Sequence, residues 1–187
     1  MDILAHALWA GAGAEVLRRK THVTKKSIYG IVLLAALPDV PQLVPILGWV
    51  AIGDGSIGLV YAYVFSTPGT EPHFPPIVEG LAYHLHCIAH SVIVAGAVTL
   101  LAWLLRPQLL IPLLGWWSHI ILDVFTHSKD YYPSPILYPI TYAGFGGIAW
   151  NEPLFLLLNY LSLGLIYVLL LFSRRRSKLR RESRHWR

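Results

Sequence analysis

The sequence predicts an all-α, polytopic helical membrane protein with about five membrane passages. Of its 187 residues, 55% are hydrophobic and 13% are charged, whereas an ordinary soluble domain has about 25% charged residues. Several apolar runs also approach the ~20 residues that a helix needs to cross a bilayer. Composition and run length together therefore indicate an integral membrane protein.

Five apolar stretches are the predicted passages: residues 3–17, 28–52, 84–105, 109–126 and 153–173. The first is short and rich in alanine and glycine, which let helices approach closely in lipid. The second contains Pro38, Pro41 and Pro45, which remove backbone donors and predict a broken helix. Residues 53–67 and 128–152 are expected to lie at the membrane interface, the latter as a loop.

The lysine and arginine residues predict the orientation. They concentrate in the linker 18–27, at Arg106 and in the tail 174–187, and the positive-inside rule places such segments in the cytoplasm. We expect an inner (cell) membrane protein with its N-terminus outside and its C-terminus inside. Residues 1–173 are then one membrane-embedded domain, followed by a basic cytoplasmic tail. The net charge of +5 indicates no nucleic acid, because the basic residues lie at the ends of apolar runs.

Two short stretches carry ligand-type side chains at helical spacing. His86 and His90 stand four residues apart, and His119, Asp123 and His127 repeat at the same interval. Residues four apart share one face of a helix. Imidazole and carboxylate groups together suit zinc and similar divalent ions, and polar groups within membrane segments are functional candidates. The pattern predicts a metal site.

The predicted topology brings further candidates to the same outer ends of the helices. Asp2 and His6 begin the first passage, and Asp39 lies at the break in the second. Each has an alternative interpretation. Asp2 could be the N-cap of the first helix, Asp39 could cap a half-helix, and a lone histidine such as His6 often serves as a hydrogen-bonding residue in helix packing.

Four motifs resemble those of the YdjM-like membrane-bound, metal-dependent hydrolases, first noted as LexA-regulated inner-membrane proteins. Asp2-Ile-Leu-Ala-His6 is similar to the family's Asp-x-x-Thr-His, and Leu37-Pro38-Asp39 to its Leu-Pro-Asp-x-Asp, with Pro41 in place of the second acid. His86, His90 and Ser91 resemble a His-Arg-x-x-Thr-His-Ser pattern in which Cys87 and Ala89 replace the arginine and threonine, with one residue fewer between the two histidines. The last motif matches at Gly115, His119, Asp123, Thr126 and Leu137-Tyr138-Pro139.

The resemblance, which extends remotely to zinc-dependent phospholipase C and zinc nucleases, implies phosphoester hydrolysis by a metal-activated water. One to three divalent ions, with Zn²⁺ favoured, would be held by a set of six side chains: His6, Asp39, His86, His90, His119 and Asp123. Asp39 or Asp2 is expected as the catalytic base. Substrate contacts are expected from Ser91, Thr126, His127 and Lys129. A site at headgroup depth favours membrane lipids as partners and a lipid or lipid-linked phosphate as substrate.

Two other interpretations stay open. A non-catalytic membrane carrier or sensor would also bind metal, but a carrier needs ligands at successive depths, and the cytoplasmic side offers only Glu15 and His22. A membrane protein whose histidines only bridge helices would function without metal.

Overall fold

The structure is a computed structural model that describes residues 1–53, 55–67 and 69–185, with side chains as far as Arg176. Eight α-helices follow one another in this part of the chain: α1 (Ile3–Lys20), α2 (Lys25–Ala36), α3 (Leu43–Ile52), α4 (Ile57–Val64), α5 (Pro76–Ala89), α6 (Val92–Leu105), α7 (Leu110–Thr126) and α8 (Pro153–His185). Short 3-10 turns follow α2 at Leu37–Asp39 and precede α7 at Pro107–Leu109. The described residues form no strand, which confirms the all-helical prediction.

Two to four spans of this fold are long and apolar enough to cross a membrane, judged by length and composition among the described residues. Pro107–Thr126 and Pro153–Arg176 qualify alone. The pairs α2–α3 and α5–α6 qualify as bent spans, with angles of 62° and 54°. Helix α1 is not among them. The membrane character is thus supported, and the number of five passages stays a prediction.

The two bends have different origins. The bend after α2 coincides with Pro38, as the sequence predicts, and buries Pro38 and Asp39 in the turn. The second bend divides the span expected at 84–105, and its first helix begins earlier, at Pro76. Here the Ser91 hydroxyl accepts hydrogen bonds from the amides of Ile93 and Val94 and so begins α6 as a new helix.

Helices α2 and α7 form the most extensive helix pair, and α1 packs against both. The approach is close because Gly115 of α7 faces the backbone of α2, where an added Cβ would lie 2.0 Å from the Ile31 carbonyl oxygen. Helix α6 packs on α7, and Trp117 Nε1 donates to Thr99 Oγ1 at 3.0 Å. The short connection at Arg106–Gln108 therefore holds α6 and α7 side by side, as predicted.

The loop between α7 and α8 covers the helix ends. The amides of Gly147 and Ile148 donate to the carbonyls of His127 and Phe125 at 2.9 and 3.0 Å. The Val92 amide at the second bend donates to the Ile136 carbonyl at 2.9 Å. Because lipid offers no hydrogen-bond partner for such groups, this loop makes the broken helices compatible with a membrane.

Helix α8 continues without a break across residue 174, where the sequence analysis placed the start of a tail. Arg174 Nη2 forms a salt bridge with Glu15 Oε2 of α1 at 2.7 Å. The side chains of residues 177–187, which include most of the predicted basic tail, lie outside the described residues.

Candidate metal centre

Four buried side chains from three separate segments bring donor atoms together: Asp39, His90, His119 and Asp123. One atom of each lies within 4.8 Å of the others. The Nε2 atoms of His90 and His119 are 2.9 Å apart, and each lies 3.1 Å from Asp123 Oδ2. Asp39 Oδ1 lies 3.4 Å from His90 Nε2 and 3.6 Å from His119 Nε2.

These separations fit a divalent metal. Zinc–nitrogen and zinc–oxygen bonds of about 2.0–2.2 Å in a tetrahedron place neighbouring donor atoms roughly 3.3 Å apart. The Nε2 and carboxylate distances of 2.9–3.6 Å surround that value. Asp39 Oδ2 and Asp123 Oδ2 are buried without a hydrogen-bond donor among the described residues. The donor set, two imidazoles and two carboxylates, therefore suits a metal of the zinc type.

The other ring nitrogens of the two histidines face backbone carbonyls. His90 Nδ1 lies 2.8 Å from the His86 oxygen, and His119 Nδ1 lies 2.7 Å from the Ala35 oxygen. A carbonyl can only accept, so each Nδ1 carries the proton and the neutral ring has its lone pair on Nε2. Metal-binding histidines are commonly oriented by such bonds. Both lone pairs then point at one place, beside two carboxylates.

The breaks in the helices explain how these residues meet. Asp39 is the last residue of the 3-10 turn between α2 and α3, and His90 directly follows α5 at the bend between α5 and α6. His119 and Asp123 lie one turn apart on the continuous helix α7. The close α2–α7 packing brings Asp39 to α7, and Trp116 Nε1, which donates to the Ala89 carbonyl at 2.6 Å, fixes the end of α5 beside it.

The predicted ligand His6 contacts the cluster but is not one of the four donors. Its Nε2 lies 2.8 Å from Asp123 Oδ1, the carboxylate oxygen away from His90 and His119. Its ring stacks on His119 with centroids 3.7 Å apart. His127 Nε2 lies 3.5 Å from the same Oδ1 atom, and the Met1 amine also contacts it. His127, predicted as a substrate contact, is thus buried in direct contact with the centre.

The predicted ligand His86 has a different position. Its ring lies 4.0 Å from that of His90, centroid to centroid, and it is also outside the four-donor set. Both ring nitrogens are buried without a hydrogen-bond partner among the described residues. His86 instead forms part of the wall of an adjoining cavity.

That cavity, of about 120 Å³, opens beside the cluster. Four of the predicted site residues line it: Asp2, Asp39, His86 and His127. The apolar residues Ile3, Leu43, Val64 and Trp150 also line it, together with Met1. Four further lining residues are polar and were not predicted for a site: Gln42, Tyr63, Tyr131 and Tyr132. No spacing in the sequence marks these four, since the tyrosine excess by itself predicts an interfacial belt.

Asp2 is the predicted alternative to Asp39 as catalytic base. Asp2 is the N-cap of α1, because its Oδ1 accepts from the Ala5 amide at 2.9 Å and from the Tyr160 hydroxyl at 2.8 Å. Its Oδ2 is buried without a hydrogen-bond partner among the described residues. The structure therefore supports the capping interpretation and leaves one oxygen available for a role in the site.

The three other predicted substrate contacts differ in surroundings. The Ser91 hydroxyl donates to the Tyr138 carbonyl at 2.6 Å in addition to capping α6. Thr126 Oγ1 lies 3.4 Å from Asp123 Oδ1. Lys129 is exposed, lies beside Gly146 and is not among the residues that line the cavity. Their contact with substrate stays a prediction.

Comparisons with protein-family models, with curated proteins and with solved structures find no match to this chain. The geometry of the candidate metal centre is therefore the basis of the proposed function.

Proposed function

We propose that this protein is a membrane-bound, metal-dependent hydrolase that cleaves a phosphoester in a lipid or lipid-linked phosphate. The observation that carries the proposal is the convergence of two Nε2 lone pairs and two carboxylates beside a cavity. The Met1 ammonium contacts Asp123 Oδ1, the oxygen away from the two Nε2 atoms. Without a further cation, Asp123 Oδ2, Asp39 and the two Nε2 atoms would place electron-rich atoms together in a site where burial makes their repulsion costly. A divalent ion would supply this positive charge.

His90, His119, Asp39 and Asp123 would hold the metal, whose chemistry would be to activate a water molecule and to polarise a phosphoryl oxygen. Asp2 lines the same cavity, and its Oδ2 has no hydrogen-bond partner among the described residues. This oxygen would accept the proton that the attacking water loses. Asp39, which was the other candidate base, is occupied as a ligand in this arrangement. The buried His6, stacked on His119, keeps that ring in position.

The surroundings of the cavity favour a lipid substrate. Its lining includes the buried residues Asp39, His86 and His127 and also large apolar side chains, of which Ile3 and Val64 are exposed. A molecule with a phosphate head and an apolar tail has the same polarity pattern. The helices long enough to span a membrane, and the resemblance of the motifs to a family of membrane-bound hydrolases, support the same conclusion.

The proposal is tested with full-length protein purified in detergent without chelator. We expect elemental analysis to find zinc or a similar divalent ion. We also expect hydrolysis of at least one member of a panel of lipid and lipid-linked phosphoesters, loss of activity with chelator and recovery when Zn²⁺ is added back.

Two outcomes contradict the proposal. Absence of metal after purification in metal-supplemented buffer would favour histidines that only bridge helices. A stoichiometric metal without hydrolysis of any phosphoester would favour the carrier or sensor interpretation.

A further inference from the structure

A second, smaller cavity of about 80 Å³ adjoins the one beside the metal centre. The two cavities have four lining residues in common: Gln42, Tyr63, His86 and Tyr132. His86 is 3% exposed, and neither of its ring nitrogens has a hydrogen-bond partner among the described residues. An unpartnered imidazole thus lies where the two compartments meet.

Aromatic rings form much of the wall of the second cavity. The ring of Tyr63 lies 5.5 Å from that of Phe74 at an interplanar angle of 71°, and 5.5 Å from that of Tyr132 at 79°. Both pairs pack edge-to-face, so the planes of rings that line this cavity are steeply inclined to one another. Burial raises the pKa of Tyr63 to about 12, so its phenol is neutral at physiological pH. Neutral aromatic faces attract cations, and aromatic cages commonly bind quaternary ammonium groups.

Two carboxylates, from Glu71 and Glu79, also line this cavity. Neither forms a salt bridge within the described part of the chain. Among the described residues, no lysine or arginine lines the second cavity. This cavity therefore combines negative charge, aromatic rings and an unpartnered imidazole, with no cationic side chain from the described part of the chain.

We propose that the second cavity binds the ammonium group of a zwitterionic phospholipid whose phosphate lies in the cavity beside the metal centre. This inference rests on the proposed function and names its substrate class. A zwitterionic head group carries its phosphate and its ammonium a short distance apart. This spacing suits two adjoining cavities that share the lining residue His86. Glu71 and Glu79 neutralise the ammonium, the aromatic faces pack against it, and His86 separates it from the metal ligands.

The binding step is tested with simple cations on the full-length protein in detergent. Tetramethylammonium and ethylammonium are titrated at constant ionic strength while tryptophan fluorescence is recorded, because Trp49 contacts Phe74 edge-to-face with centroids 5.9 Å apart. We expect a saturable change with at least one of them, and their relative affinities distinguish a quaternary from a primary ammonium.

Carboxylate variants locate the binding site. We expect Glu71→Gln and Glu79→Gln each to weaken binding about tenfold, because a charge-assisted contact is lost. The control variant Glu152→Gln changes an exposed carboxylate outside both cavities. It should bind the cations as the wild type does. The proposal is overturned if neither cation gives a saturable response, or if the response is unchanged in the Glu71→Gln, Glu79→Gln double variant.

A second measurement separates this proposal from the proposed function. Four phospholipids with identical acyl chains are compared as substrates: phosphatidylcholine, phosphatidylethanolamine, phosphatidylglycerol and phosphatidic acid. We expect preference for an ammonium-bearing lipid in the wild type and in Glu152→Gln, and loss of that preference in the double variant. Hydrolysis without preference overturns the ammonium site and supports the hydrolase. Ammonium binding without any hydrolysis supports the site and contradicts the hydrolase.

Discussion

The orientation of individual imidazoles is what would allow the cluster to bind a metal ion. His90 and His119 each direct Nδ1 to a backbone carbonyl, at 2.8 and 2.7 Å. Their Nε2 atoms are left 2.9 Å apart, a separation at which two lone pairs repel unless a cation or proton lies between them. Asp39 and Asp123 add negative charge at the same place. The stability of this part of the protein is therefore expected to depend on a bound cation.

At this scale we predict that His119→Ala and Asp123→Ala each abolish hydrolysis and lower metal affinity by more than about 100-fold. The loss is expected to be large because mutating even a residue that only orients a metal ligand lowers metal affinity or activity about 10–100-fold. The matched control is His22→Ala, an exposed histidine remote from the cluster, which should keep wild-type metal content. Elemental analysis and activity are measured on protein shown to be inserted in membranes. Full activity and full metal content in His119→Ala would show that the assigned site is wrong.

The spacing of residues predicted part of this site and not the rest. The interval of four residues correctly predicted that His119 and Asp123 lie together. The short connection before α7 correctly predicted that His90 lies near them. The same interval grouped His86 with His90, but the helix ends at Ala89, and only His90 reaches the four-donor set. The carbonyl of Ala35, which orients His119, and the cavity residues Tyr63 and Tyr132 depend on tertiary packing that no local pattern encodes.

At the scale of elements, the breaks in the helices supply ligands. Asp39 and His90 both lie where a membrane-type helix is interrupted, whereas the two candidate ligands of α7 come from an unbroken helix. An interrupted helix exposes polar backbone groups that lipid cannot satisfy. The loop after α7 provides partners, as when Ile136 accepts from the Val92 amide at 2.9 Å. The loop therefore stabilises the interruption that places His90.

The packing of α2 on α7 gives the second prediction. An alanine Cβ at Gly115 would lie 2.0 Å from the Ile31 carbonyl oxygen, so Gly115→Ala must push the two helices apart. We expect a loss of about 1–3 kcal/mol in stability from overpacking. We also expect weaker metal binding, because the bond between His119 Nδ1 and the Ala35 carbonyl crosses the same interface.

The matched control for this change is Gly96→Ala in α6, where an added Cβ meets nothing within 4 Å. Alanine favours a helix over glycine by roughly 1 kcal/mol, so this variant should be neutral or stabilised. Thermal unfolding in detergent and metal titration are measured on both. Equal stability and equal metal affinity for the two variants would contradict the close α2–α7 contact.

At the scale of the whole molecule, composition was sufficient to predict the helical class, and Pro38 was sufficient to predict the first bend. The second bend could not be predicted, because no proline lies between residues 84 and 105. It depends on Ser91, whose hydroxyl caps α6 and donates to the Tyr138 carbonyl 47 residues away. A long-range hydrogen bond of this kind has no local sequence pattern.

The orientation in the membrane is the last prediction, and α7 allows a direct test of it. The span Pro107–Thr126 has 20 residues, about 30 Å of helix at 1.5 Å per residue, which matches the hydrocarbon core of a bilayer. Gln108 is the second residue of this span and Asp130 lies four residues beyond its other end, and both are exposed. If this helix crosses the membrane, they must lie on opposite sides. Arg106, next to the first end, predicts that Gln108 is cytoplasmic.

Cysteine labelling of intact cells distinguishes the two orientations, because the native Cys87 is fully buried and should not react. We expect a membrane-impermeant maleimide to label Asp130→Cys directly and Gln108→Cys only after the membrane is disrupted. The reverse pattern would place the metal centre at the cytoplasmic face, since Asp123 lies near the same end of α7 as Asp130. Labelling of both variants in intact cells would mean that α7 does not cross the membrane. The site would then have to receive a lipid head group from one surface, without a helix that spans the bilayer beside it.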